Sequence, residues 1–170
     1  VLVLCLGLMG CDSVGQIWGF GVETIVHSEV PSTIRQPNSS VGFDVSWTPD
    51  IPTLGIWYQD ARDAGFLLSP YVGYDIGGAT AMILSLCSGR EGCVPFWVIA
   101  KPLAGMWFWR EPPRGNGLLT GFKTGLAVPF NKNMDHIMSF EYGWIVLHDV
   151  TSSHDNANLE TIRLAYLQVW

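Results

Sequence analysis

Charge is scarce in this chain. Only 14% of its 170 residues are charged, against about 25% in an ordinary soluble domain. Nine are basic and fifteen acidic, a net charge of −6, so the basic footprint of a nucleic-acid-binding protein is missing. No run reaches the 18 or more apolar residues of a spanning helix. Helical periodicity is almost absent: "YQDARDAG", residues 58–65, is the one helix-like piece, and it is short. Cysteines number four, with no further ligands spaced for a metal site, so neither metal nor cofactor is expected. What is plentiful is apolar and aromatic: 48% hydrophobic residues, eight tryptophans and 19 glycines. The length suits one domain.

The opening "VLVLCLGLMGC" resembles the tail of a secretory signal. Its last four residues, Leu8 to Cys11, resemble a bacterial lipobox, which would make Cys11 a lipidation site; an ordinary signal cut nearby is the other reading. Residues 1–11 are therefore set apart as a signal or lipobox-like segment, and 12–170 as one β-domain. In an exported protein, Cys87 and Cys93 flanking "SGREG" read as a disulfide closing a short loop.

Beyond residue 13 the pattern is period two, the mark of strands with different environments on their two faces. Trp18, Phe20, Val22 and Val26 share one face, and Gly19, Gly21 and Glu23 the other. In "VGFDVSW", Val41, Phe43, Val45 and Trp47 oppose Gly42, Asp44 and Ser46. In "FLLSPYVGYDIG", Phe66, Leu68, Pro70, Val72, Tyr74 and Ile76 oppose Ser69, Tyr71, Gly73, Asp75 and Gly77. "TAMILSL" (80–86), "VPFWVIAKPLAGMWFW" (94–109, apolar on both faces), "LLTGFKTGLAV" (118–128), "SFEYGWIVLHD" (139–149) and "LETIRLAYLQVW" (159–170) complete about eight strands.

Such alternation fits a soluble barrel with large residues inside or a membrane barrel with aromatics toward lipid and small or polar residues in the lumen. The small face separates them. It carries glycines and a few charges of both signs: Glu23, Asp44, Asp75, Lys123, Glu141 and Arg163. A solvent-washed surface would be rich in Lys and Glu. Glycines among a few charges suit the crowded interior of a small barrel, where charges must pair, with Lys101 as a further bridging base. The expected fold is all-β: an eight-stranded antiparallel up-and-down transmembrane β-barrel in a bacterial outer membrane. A soluble lipocalin-like barrel, with Trp18, Phe43, Tyr74 and Trp144 around a cavity, is the alternative. The final aromatic, Trp170, with Tyr166, Leu164 and Ile162 on its register, resembles the assembly signal of outer-membrane barrels. Alternation from a periplasmic start places outer loops near 28–39, 77–78, 110–117 and 149–158, and inner turns near 48–64, 87–93 and 130–136.

One strand ends unexpectedly. Phe140, Tyr142, Trp144 and Val146 share the apolar face, and the next residue on it is His148. The following strand returns with Glu160, Ile162, Leu164 and Tyr166 outward, so His148 and Glu160 are expected as neighbours at the outer rim. Ionisable groups on a lipid-facing surface suggest function. Ser152 and Ser153 lie in the intervening loop, and a serine, a histidine and a carboxylate are the parts of an acyl-transfer triad. His154 is a competing base; His27 and His136 sit at other strand ends. At these residues the chain resembles the lipid A 3-O-deacylases, eight-stranded outer-membrane barrels with a triad on the outside. That family has His-x-Ser-Asn at the end of its seventh strand and Asn-x-Gly-Ile-Glu about ten residues before the C-terminus. "NANLETIRLAYLQVW" puts Glu160 where the family's Glu falls, with His148 near its His. The family's Ser and Asn fall on Val150 and Thr151, leaving Ser152 or Ser153 as the nucleophile. The resemblance covers roughly the last 30 residues and the general layout. It implies hydrolysis of an acyl ester of an outer-leaflet lipid such as lipopolysaccharide, whose chains would lie against Phe140, Tyr142, Trp144, Leu164 and Tyr166. A non-catalytic structural or adhesive barrel is the competing function.

Overall fold

The computed structural model describes residues 16–32, 40–48, 52–61, 65–74, 84–86, 94–109, 115–131 and 135–170. Asp75, Cys11, Cys87 and Cys93 lie outside them, so the lipidation and disulfide expectations do too. The strands are β1 (Ile17–Glu29), β2 (Ser40–Thr48), β3 (Pro52–Ala61), β4 (Gly65–Tyr74), β5 (Leu84–Leu86), β6 (Val94–Trp109), β7 (Gly115–Pro129), β8 (His136–Leu147) and β9 (Ala157–Val169). Each pairs antiparallel with its neighbours in the order β4-β3-β2-β1-β9-β8-β7-β6, and pairing of β4 with β6 closes the ring. Among the described residues β5 pairs only with the start of β6. Eight staves therefore form the closed barrel.

The faces sort as the alternation requires. Trp18 is 48% exposed, Trp144 47% and Phe140 56%, whereas Glu23, Asp44 and Glu141 are fully buried. Phe43 also faces outward, which removes the soluble barrel with a cavity lined by Trp18, Phe43 and Trp144; the side chain of Tyr74 lies outside the described residues. A bulge between Ile25 and His27 shifts the register of β1 against β9, so that beyond it Ser28 is buried and His27 exposed.

Two expectations about the staves need correction. Residues 48–64 are not one inner turn: they contain β3, which pairs along its length with β2 and β4, so the first half of "YQDARDAG", residues 58–61, is extended rather than helical. The strand escaped the size rule because its inward residues include Trp57 and Gln59, as large as those outside. Inserting β3 reverses β4, so Tyr74 lies toward the end at which β7 finishes and β8 begins, opposite to the outer end expected from the alternation; residues 77–78 lie outside the described residues. Of "TAMILSL" the described part is β5, which lies outside the ring of eight.

The lumen is filled in three layers. Toward the end carrying the β8–β9 loop, Trp57, Leu67, Trp107, Leu119, Leu147 and Leu159 form an apolar plug. Toward the opposite end Ile99, Ala127 and Ile137 pack with Leu167 and Val169. Between them lies charge. Lys123 Nζ is 2.7 Å from Glu23 and 3.6 Å from Asp44. Arg163 reaches Asp44 at 2.8 Å and also pairs with Glu141. Tyr71 donates to Asp44 at 2.7 Å and Ser139 to Glu141 at 2.7 Å. With Lys101, also buried, the described layer holds three acids and three bases. The large inward Trp57 and Trp107 were not foreseen; Trp107, with inward Ile99 and Leu103, explains why β6 reads apolar on both faces.

Candidate functional site

The register of β8 against β9 decides which candidate residues meet. Leu147 pairs with Ala157 and Trp144 with Glu160. Glu160 therefore sits opposite a residue four positions before His148, about 13 Å along the strand at 3.3 Å per residue. The two are not the rim neighbours that parity alone suggested. The reason is the loop. Val150 turns inward, is 5% exposed and joins the apolar plug beside Leu147, Ala157 and Leu159. Its N–H donates to the Asp155 carbonyl at 2.8 Å. Asp149 and His154 take positive φ values of 56° and 63°, tightening the turn. Val150, the position on which the deacylase serine falls, is thus a stopper in the barrel mouth.

Glu160 accepts a hydrogen bond from the Tyr142 hydroxyl, and its partner across β1 is His27. His27 itself lies 3.8 Å from Glu29, and Asn158 donates to Glu29 at 3.4 Å. Ser153 donates to Asp155 at 2.5 Å, as does Thr151 at 2.9 Å. These two hydroxyls, Ser153 first, hold the Asp155 carboxyl below its usual range. His154 Nδ1 stands 3.0 Å from Asp149. Ser152 is exposed in the same loop. The described contacts bring neither serine to an imidazole.

His148 has a different hydroxyl partner. Its Nε2 shares a 2.7 Å hydrogen bond with Thr120 Oγ1 of β7, and both side chains are partly buried on the outward register. The backbone is fixed on both sides: the His148 N–H donates to the Leu118 carbonyl at 2.8 Å, and its carbonyl accepts from the indole of Trp107 at 2.9 Å. Thr120 was legible in part. It lies on the outward parity of "LLTGFKTGLAV", and the short 130–136 turn places that strand beside the end of β8. At the other end of the wall His136 Nδ1 is 2.5 Å from the Tyr166 hydroxyl, and Trp18 stacks on Trp47 at 5.7 Å. These aromatics border the apolar belt as interfacial girdles do. Phe140, Tyr142, Trp144, Leu164 and Tyr166 all lie on its outward register.

No family model matches the chain, and no curated protein matches it. Among solved structures it is similar to the crystal structure of Neisserial surface protein A (NspA), with a TM-score of 0.51 and 9% identity over 93% of this chain and 98% of that one. The fold is that of an eight-stranded outer-membrane barrel. At this identity the likeness carries the architecture alone. The lipid A deacylase family gains no support from any of these comparisons.

Proposed function

We propose that this chain is an integral protein of the bacterial outer membrane that works at its lipid-facing wall and surface loops rather than by conducting solutes. The observation behind this reading is the filled lumen: paired Lys123, Glu23, Asp44, Arg163 and Glu141 between two apolar layers. Opening a water path would separate buried ion pairs and move Trp57 and Trp107. An eight-stranded barrel has an interior just wide enough for its side chains to fill. NspA is titled a surface protein, and surface display of the 148–156 loop accords with that. The test is planar-bilayer conductance of refolded protein, with folding checked by heat-modifiable mobility on gels. Folded protein is expected to give no stable open-channel current; a steady ohmic pore would overturn the reading.

A second reading, hydrolysis of an acyl ester of an outer-leaflet lipid such as lipid A, is kept for one observation: an imidazole 2.7 Å from a hydroxyl on the outward wall. His148 would act as base, with Thr120 competing with Ser152 and Ser153 for the role of nucleophile; Glu160, bonded to Tyr142, is placed to meet a headgroup rather than to orient the imidazole. Mass spectrometry of lipid A from cells expressing wild type, His148→Ala, Thr120→Val and Ser152→Ala/Ser153→Ala decides it. Acyl loss in wild type that disappears in His148→Ala supports hydrolysis, and intact lipid A in all strains removes it for that substrate.

A further inference from the structure

The outer wall is uneven. Around β8, β9 and β1 it carries Phe140, Trp144, Leu164, Phe20 and Trp18, all strongly exposed. Across β3, β4 and β6 it carries Leu54, Pro70, Val72, Ala104 and Met106, and here a depression of about 570 Å³ opens, bounded on one side by Trp18 and Trp47. That volume lies within the range of about 300–1,000 Å³ typical of small-molecule sites. On the lumen side the wall beneath it is packed tightly. Gly55 and Gly105 pair across strands with Tyr71, and a Cβ at Gly55 would stand 2.5 Å from the Tyr71 hydroxyl, one at Gly105 2.8 Å from the Tyr71 Cα. Tyr71 is held inward by its bond to Asp44.

The depression coincides with an interruption in the wall. β4 pairs with β6 at Leu67–Trp109 and Leu68–Phe108 and again from Tyr71–Gly105 onward, but not at Ser69 and Pro70. Proline has no N–H to give to a ladder, and the Ser69 hydroxyl is buried without a partner among the described residues. By contrast β8 and β9 pair without a break from His136 to Leu147.

We propose that this depression is a docking site for one acyl chain of a bilayer lipid. The proposal rests on the membrane embedding argued above. The occupant follows from the lining. No lining side chain is charged, and the two hydroxyl-bearing ones, Ser46 and Tyr71, are buried and face the lumen, so a headgroup has nothing to bind. The trough is continuous with the apolar belt that meets hydrocarbon. A second barrel would present a convex wall that touches the rims and leaves the floor empty, whereas a flexible chain follows a concave trough and covers the broken seam.

The experiment uses the full chain refolded into vesicles of phosphatidylethanolamine and phosphatidylglycerol, extracted in mild detergent and examined by native mass spectrometry. Wild type is expected to retain one phospholipid. Ala104→Phe, which fills the trough from an outward position, should lower the lipid-bound fraction by about tenfold, a loss of roughly 1.4 kcal/mol, while Leu164→Phe on the opposite wall should not. If Ala104→Phe fails to fold, Val72→Trp fills the same trough and serves in its place. Heat-modifiable mobility and protease protection of the same vesicles report insertion separately. Inserted wild type without retained lipid, or filled variants that retain it as wild type does, overturns the proposal and leaves the membrane reading standing. Absence of insertion overturns both. A dimer lost on filling the trough also overturns it, assigning the face to a protein interface.

Discussion

Replacing Arg163 with Met removes the central cation of the lumen. Arg163 is 1% exposed and serves two carboxylates, Asp44 at 2.8 Å and Glu141. Coulomb's law gives a gross attraction of about 6 kcal/mol at that distance with an effective dielectric near 20. Desolvation of both partners offsets much of it, so the pair itself contributes little net stability. Removing one partner is a different matter, because the stranded charge keeps its desolvation cost; losses of about 3–5 kcal/mol are typical. Asp44 would retain Lys123 at 3.6 Å and the Tyr71 hydroxyl. Glu141 would retain the Ser139 hydroxyl. The described layer would then hold three acids against two bases, so we expect a loss of about 3–5 kcal/mol. The double variant Arg163→Met/Glu141→Gln restores a balance of two and two and should recover about half of that loss, the non-additivity expected of contacting groups. Denaturant unfolding in detergent micelles, followed by tryptophan fluorescence and extrapolated linearly, measures both. A single variant within about 0.5 kcal/mol of wild type, or a double variant no better than the single, would refute a dry, charge-balanced lumen.

Gly105→Val should cost about 1–3 kcal/mol by overpacking, since its Cβ meets the backbone of Pro70 and Tyr71; the same unfolding assay reads it, with outward Ala104→Val near neutral as the comparison. Because the hydroxyls of Ser153 and Thr151 lower the Asp155 pKa from its ordinary 3.8, the ordered loop is favoured above that value and is lost as pH falls through the lowered one. An NMR titration of the Asp155 carboxyl should give a midpoint below 3.8, and Ser153→Ala should move it upward. Cys87 and Cys93 should resist thiol labelling in unfolded, unreduced protein and react after reduction; full labelling without reductant would exclude the disulfide.

The candidate site shows where sequence reasoning stops. Parity correctly put His148 and Glu160 on the outward face, because side-chain direction in a strand depends only on counting by two. Their separation depended on how many loop residues the hairpin consumes. The burial of Val150 and the left-handed Asp149 and His154 decided that, moving Glu160 opposite Trp144 and leaving His148 to Thr120. Neither effect is periodic, so neither is visible in the alternation.

By itself the sequence determined the two-faced strands, the barrel class and the inside and outside of β1, β2, β4, β7, β8 and β9, because a glycine-and-paired-charge register beside an aromatic one has few physical solutions. It did not reveal β3, whose inward Trp57 and Gln59 fill space as fully as the residues facing out. Which charges meet was decided only by closure of the ring. Lys123 finds Glu23 across 100 residues of chain and Arg163 finds Asp44 across 119. The trough over the β4–β6 seam also exists only in the closed barrel, for its lining comes from five strands that closure of β4 on β6 brings together.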